Sequence, residues 1–302
     1  MKQTLLQRWD RFFYRTVPPH TFAILRIGFA LFLMLYWGSE WRDAALFSRE
    51  FGVFLPKIST DISILTFFLQ PPLWFVHVFF VITFLLLTMF LVGYRTRTTA
   101  LLLLILSIYF YFWNQWLFAT SFYRLFQFSL AVFLFPGADK AFSMAMWRKH
   151  GSFWAWQPMS IFPLRLFALQ LTATYLGVGW QKLILPGWDS GAVLFHSFTS
   201  RWGTSFGFYL ARILPSEFLD WLVWLTLLLE CTMPFGLWIR KVQWIYFLGG
   251  FVFHTLITLT LGIWWFQIMV PMYIVFLDPE AVFQWVRVRS KGKISPDSSA
   301  VL

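Results

Sequence analysis

Seven ionisable side chains lie within or at the ends of strongly apolar runs: Arg26, His77, Arg124, Arg165, Lys182, Glu230 and His254. Groups of this kind are costly in a membrane and normally face protein or a water-filled cavity, where they carry protons, ions or substrate. The densest set lies on one segment. Arg165, Ala168, Thr172, Tyr175, Gly179 and Lys182 recur at steps of 3, 4, 3, 4 and 3 residues, which is one face of a helix. That small, polar face is the opposite of what lipid selects. It should line a cavity or a tight helix contact, with Gly179 permitting close approach. Arg165 and Lys182 stand roughly 25 Å apart at helical rise and mark the two ends of the stripe.

Lys182 admits two readings. A lysine at a helix end commonly snorkels to the membrane surface. Alternatively it is a base, since the stripe turns it inward and the apolar Leu183-Ile184-Leu185-Pro186 follows it instead of a polar loop. A lysine must fall roughly three units from its reference near 10.4 to act as a base at neutral pH, and full burial supplies roughly 3–5 units. Glu230 and His254 lie near the centres of two later segments joined by the Arg240-Lys241 turn, at depths that differ by only ~5 Å. An unpaired carboxylate there is expensive, so a Glu230–His254 pair is expected, either locking two helices or moving a proton. Arg26 sits close enough to the end of its segment to snorkel. Arg124 and His77 fall near the same surface as Lys182 and are candidates for an anionic or quinol-like head group. No His, Cys and Asp set has metal-ligand spacing, and no nucleophile elbow or phosphate loop occurs, so no metal is expected.

The elements that must position these residues are membrane helices. Of 302 residues, 59% are hydrophobic and 12% charged, against about 45–50% and 25% in soluble domains. Apolar segments occupy 21–38, 72–93, 98–118, 122–136, 162–182, 219–239, 242–260 and 263–277, and several reach the ~20 residues that cross a bilayer. The net charge of +11 is scattered through short loops, which speaks for membrane orientation and against nucleic acid. With eight crossings both termini share one side. The flanks on that side carry fifteen Lys and Arg and the opposite loops five, which predicts cytoplasmic termini in the cell membrane, the inner one in a bacterium. The loops 39–71 and 183–218 then face outward and are rich in acidic, aromatic, Pro and Gly residues. They should form an ordered cap above Lys182.

The expected fold class is therefore an all-α polytopic bundle of about eight transmembrane helices with an extracytoplasmic cap. Residues 1–20 read as a cytoplasmic interfacial segment, with Leu5, Trp9 and Phe12 on one face. Residues 21–280 form the transmembrane domain, and 281–302 a basic cytoplasmic tail expected to be disordered. Cys231 is the only cysteine, so no intrachain disulfide is possible. No internal repeat of the kind transporters often carry is visible.

The run Tyr175-x3-Gly179-x2-Lys182-Leu183, followed by Trp188 and Gly191, resembles the lysine motif of vitamin K-dependent γ-carboxylases and of their smaller relatives, the horizontally transferred transmembrane (HTTM) domain proteins. The likeness continues in FAILRIGFAL around Arg26, PLRLFALQL around Arg165, LECTMPF at Glu230 and the three final spans after His254, covering roughly residues 20 to 280. It implies that Lys182 is the base that deprotonates a reduced quinone of the vitamin K type, without metal, on the outer side of the membrane. Tyr175, Gly179, Arg165, Thr172, Trp188, Arg124, Asn114 and His77 are the residues expected around it. The carboxylases have Asn-Asn-His where this chain reads Asn114-Gln115-Trp116, and they carry a large lumenal domain after their helices. The expected partners are membrane lipid and a secreted protein or peptide as substrate or client. A non-catalytic maturation or export factor, and a proton-linked transporter using Glu230 and His254, are the competing functions.

Overall fold

The computed structural model describes residues 4–52, 68–118 and 121–290, with backbone only for 114–118 and 121. The side chain of Asn114, residues 53–67 of the loop 39–71 and the end of the tail (291–302) therefore lie outside what is described. Among the described residues the one strand pairing is a two-residue antiparallel bridge, Thr16 opposite Ser160 and Val17 opposite Met159. Everything else of regular structure is helical. The helices α1 (Leu5–Tyr14), α2 (His20–Arg42), α3 (Leu73–Leu91), α4 (Thr96–Phe118), α5 (Ser121–Val132) and α6 (Met144–His150) come first. They are followed by α7 (Phe162–Ile184), α8 (Ala192–Phe198), α9 (Ser205–Ile213), α10 (Ser216–Gly236), α11 (Gln243–Leu261), α12 (Met269–Met272) and α13 (Pro279–Arg289).

Five of these are long and apolar enough to cross a membrane: α2, α3, α4 over Thr96–Trp113, α10 and α11. They fit an integral membrane protein. The other three apolar segments differ for physical reasons. Helix α5 has 12 residues, about 18 Å at helical rise, against a hydrocarbon core of about 30 Å. Helix α7 has 23 residues and sufficient length, but Arg165, Gln170, Thr172, Thr174, Gln181 and Lys182 make it the most polar of the long helices. The segment 263–277 is not one helix: a 3-10 turn (Trp264–Ile268), the four residues of α12 and a second 3-10 turn (Tyr273–Phe276) follow one another. Pro271 lies within it, lacking an N–H and crowding the carbonyl four residues earlier.

The chain divides into two compact units, residues 1–163 with 278–302, and residues 164–277. In the first unit, α2 supplies Phe22, Phe29 and Tyr36 at seven-residue steps to a buried aromatic layer. Phe22 stacks on Phe133 at 5.0 Å, and Phe29 and Tyr36 meet Phe126 at 6.2 and 5.2 Å. Such ring pairs contribute about 0.5–1.5 kcal/mol each beyond area burial. Helix α1 opens with a capping box between Thr4 and Gln7 and leaves Leu5, Leu6 and Trp9 exposed.

Two expectations fail in this unit. The tail is not disordered from 281: α13 runs to Arg289, with Asp278 capping the Glu280 amide, Pro279 in its first turn, and Val282, Phe283 and Val286 buried. An amphipathic stripe and a proper N-terminal signal outweigh the basic composition. Arg26 does not snorkel. It is fully buried and donates to the carbonyls of Ala138 (2.5 Å) and Phe142 (2.6 Å). The turn before α6 brings those oxygens to the guanidinium in place of water. Gly93, at φ +70°, passes so close that a Cβ there would strike it.

In the second unit the stretch 183–218 is ordered as α8 and α9. Helix α8 packs against α10, and α9 against α11. The Gly191 N–H donates to Asp220 Oδ1 at 2.5 Å, and a Cβ on Gly191 would collide with Leu219. The Thr204 N–H donates to the Thr260 carbonyl at 3.0 Å. Asp220 thus ties a loop to a helix, a structural use of one of the acidic residues beside it.

Candidate functional site

The polar face of α7 finds a partner at every level. Near its start the Arg165 guanidinium lies 5.6 Å from the Trp238 ring centroid. The Thr172 hydroxyl accepts the Trp238 indole N–H at 2.9 Å and donates to the Ala168 carbonyl at 2.8 Å. One turn on, the Tyr175 hydroxyl bonds His254 Nε2 at 2.8 Å and the Tyr273 hydroxyl at 2.5 Å. At Gly179 the helices α7 and α10 meet: a Cβ would lie 3.0 Å from Cys231 Sγ and 3.3 Å from the backbone of Glu230 and Cys231. The stripe is a tight contact there, where a methyl group would make Cys231 and the α10 backbone give by a few tenths of an ångström.

That contact delivers Lys182. Its Nζ lies 2.5 Å from Glu230 Oε2, and the two side chains are 16% and 5% exposed. Trp188 covers the amine with its ring centroid at 4.4 Å, and Phe253 stands at 5.9 Å. Lys182 therefore does not reach out to the surface. The amine donates to the carboxylate as a charge-assisted hydrogen bond in a sheltered place.

The expected Glu230–His254 pair is not formed. Glu230 turns to Lys182, which offers a full opposite charge, and His254 takes the Tyr175 hydroxyl. Matching depth on neighbouring helices did not decide the partner, because a third helix carried better ones. His254 Nδ1 remains buried with no hydrogen-bond partner. Tyr273 completes this cluster, and its hydroxyl fits because position 250 is glycine: a Cβ there would strike the ring and its oxygen. Sequence reasoning missed Tyr273, Trp238 and Phe253. The signal for Tyr273 was the Gly249-Gly250 step at mid-helix, which marks a close neighbour.

The remaining candidates, His77, Arg124 and Asn114, lie in the first unit, apart in the chain from the α7 stripe. His77 and Arg124 are both exposed. The His77 ring accepts the Trp41 indole N–H at 3.0 Å. Asn114 lies in α4, and its side chain is outside the described residues. A cavity of about 560 Å³ in the second unit is lined by Gly187, Val193, His196, Trp202, Leu261 and Ile263 among others, but by neither Lys182 nor Glu230. Among the described residues, no three His, Cys, Asp or Glu side chains converge as a metal would require. Compared with protein-family models, curated proteins and solved structures, the chain finds no match.

Proposed function

We propose that this is a multi-pass membrane enzyme of the HTTM type, related to the transmembrane part of the vitamin K-dependent γ-carboxylases, in which Lys182 and Glu230 together withdraw a proton from a bound hydroxyl. The observation that carries the reading is the 2.5 Å contact between Nζ and Oε2 under Trp188. Lys182 Nζ takes the incoming proton as it hands its own to Glu230 Oε2. The carboxylate becomes a carboxylic acid, and the ammonium stays beside the new negative charge to stabilise it. The amine therefore works in tandem with the carboxylate, which is the lasting acceptor. Trp188 and Phe253 offer ring faces beside the amine, and these suit a flat aromatic ligand. A reduced quinone, when bound, supplies an acidic hydroxyl whose anion reacts with oxygen. Burial of the pair keeps water from competing for the proton.

In this reading all eight apolar segments cross or enter the bilayer. Helix α7 turns its polar face inward, and both termini are cytoplasmic, as the fifteen-to-five distribution of basic residues supports. The stretch 183–218 lies on the outer side as half of a cap, and the substrate is a secreted protein or peptide. A second reading is a non-catalytic maturation or export factor in which the same pair locks α7 to α10. It is favoured by the cavity of about 560 Å³, which neither Lys182 nor Glu230 lines.

The test is oxygen-dependent consumption of a reduced quinone by the full chain in liposomes. Lys182→Met and Lys182→Arg should both abolish it at undiminished membrane insertion, since arginine keeps the charge but does not release a proton. Turnover retained by Lys182→Arg overturns the proton-transfer role. No turnover by the wild type, with variants that differ only in stability, selects the lock.

A further inference from the structure

The N-terminus of α4 collects positive charge and lacks the residue that would normally close it. The Thr99 N–H makes the first helical bond, to the Arg95 carbonyl at 3.0 Å, so Arg95 holds the capping position. Caps are usually Ser, Thr, Asp or Asn, whose side-chain oxygen accepts the free amides of the first turn. A guanidinium has no acceptor. Arg95 is moreover a non-glycine residue at φ +45°, and Arg97 follows in the first turn. Both cations sit at the positive end of the helix dipole, where an anion is favoured. Arg148 joins them, with its guanidinium 5.8 Å from the Tyr94 ring centroid and that of Arg95 5.9 Å from it.

A cavity of about 630 Å³ opens at this end, within the size of small-ligand sites. Arg95, Thr96, Arg97 and Thr98 line its polar part, and Leu101 and Leu134 its apolar part. Thr96 is 1% exposed, and its hydroxyl has no hydrogen-bond partner. A buried, unsatisfied hydroxyl in the wall is the second mark of a ligand, since such groups are normally paired. Asp139 is the one acid in the lining, and it interacts electrostatically with buried Arg26. Arg97 spends Nε on the Leu134 carbonyl at 3.0 Å, and no bond to its terminal nitrogens occurs among the described residues.

We propose that this cavity binds the phosphate of an anionic phospholipid. The first-turn amides, Thr96 Oγ1 and Arg95 hold its oxygens, and its acyl chain runs along Leu101. A lipid fits better than free phosphate for two reasons. Helix α4 begins a candidate membrane span at Thr96, where headgroups lie. The lining also passes from charged to apolar within two turns, continuing onto exposed Leu102 and Ile105.

The experiment uses the full chain in phosphatidylcholine nanodiscs containing a minor fraction of fluorescent phosphatidylglycerol. Wild type should retain phosphatidylglycerol about tenfold over phosphatidylcholine, a difference of about 1.4 kcal/mol. Thr96→Val should weaken that preference and Thr98→Glu should remove it. Glutamate in the first turn complements the helix dipole, so Thr98→Glu should keep or raise the thermal midpoint, which separates lost binding from lost folding. Wild-type preference in a folded Thr98→Glu variant overturns the proposal. So does equal retention of both lipids, or displacement of phosphatidylglycerol by inorganic phosphate at comparable concentration.

Discussion

Lys182 and Glu230 hold each other in a place that neither would tolerate alone. Removing one partner from a buried ion pair costs about 3–5 kcal/mol, because the other charge is left uncompensated. Glu230→Gln should therefore lower the thermal midpoint in detergent, and Lys182→Met likewise. Combining Lys182→Met with Glu230→Leu should recover most of the loss, because the apolar replacements leave no orphan charge. Additive losses in the double variant would mean that the two residues are not coupled. The inward face of α7 was legible from the spacing of Arg165, Thr172, Tyr175 and Lys182. The choice of Glu230 as partner was not, because hydropathy reports depth and face but not which neighbour arrives there. Arg26 makes the same point: its distance from the helix end suggested escape to water, and carbonyls from a distant turn met it instead.

At the scale of elements, glycine decides where helices touch. Gly179 admits α10, and Gly250 admits the Tyr273 hydroxyl that bonds Tyr175. Gly250→Ala should cost about 1–3 kcal/mol, the usual penalty of overpacking. Tyr273→Phe should restore part of it by clearing the oxygen that the new methyl meets. If the two substitutions simply add in unfolding experiments, the contact is absent. Long uniform helices such as α3 and α11 could be read from hydropathy within a few residues. The segment at 263–277 could not be read that way: its composition is that of a span, and one proline lies among turns too short to continue as a helix.

For the whole molecule, the distribution of basic residues makes a prediction about sides. In a Cys231→Ser background, Asp189→Cys should react with a membrane-impermeant maleimide added outside intact cells. Arg240→Cys should react only after permeabilisation. Labelling of both from one side would break the eight-crossing arrangement. Helix α1 exposes Leu5, Leu6 and Trp9, the face an interfacial helix buries among headgroups. Trp9→Asp should accordingly release a peptide of residues 1–20 from vesicles that bind the unchanged peptide.

Composition and periodicity alone determined that this chain is helical with segments fit to cross a membrane, that α7 carries a polar stripe, and that the stripe meets other helices. Those properties are local sums over neighbouring residues, so the one-dimensional pattern contains them. Which oxygen meets the Lys182 amine, what encloses Arg26 and why Tyr273 reaches Tyr175 depend on residues tens of positions apart. A linear pattern carries no distance between such residues, and only the packing of helices sets it.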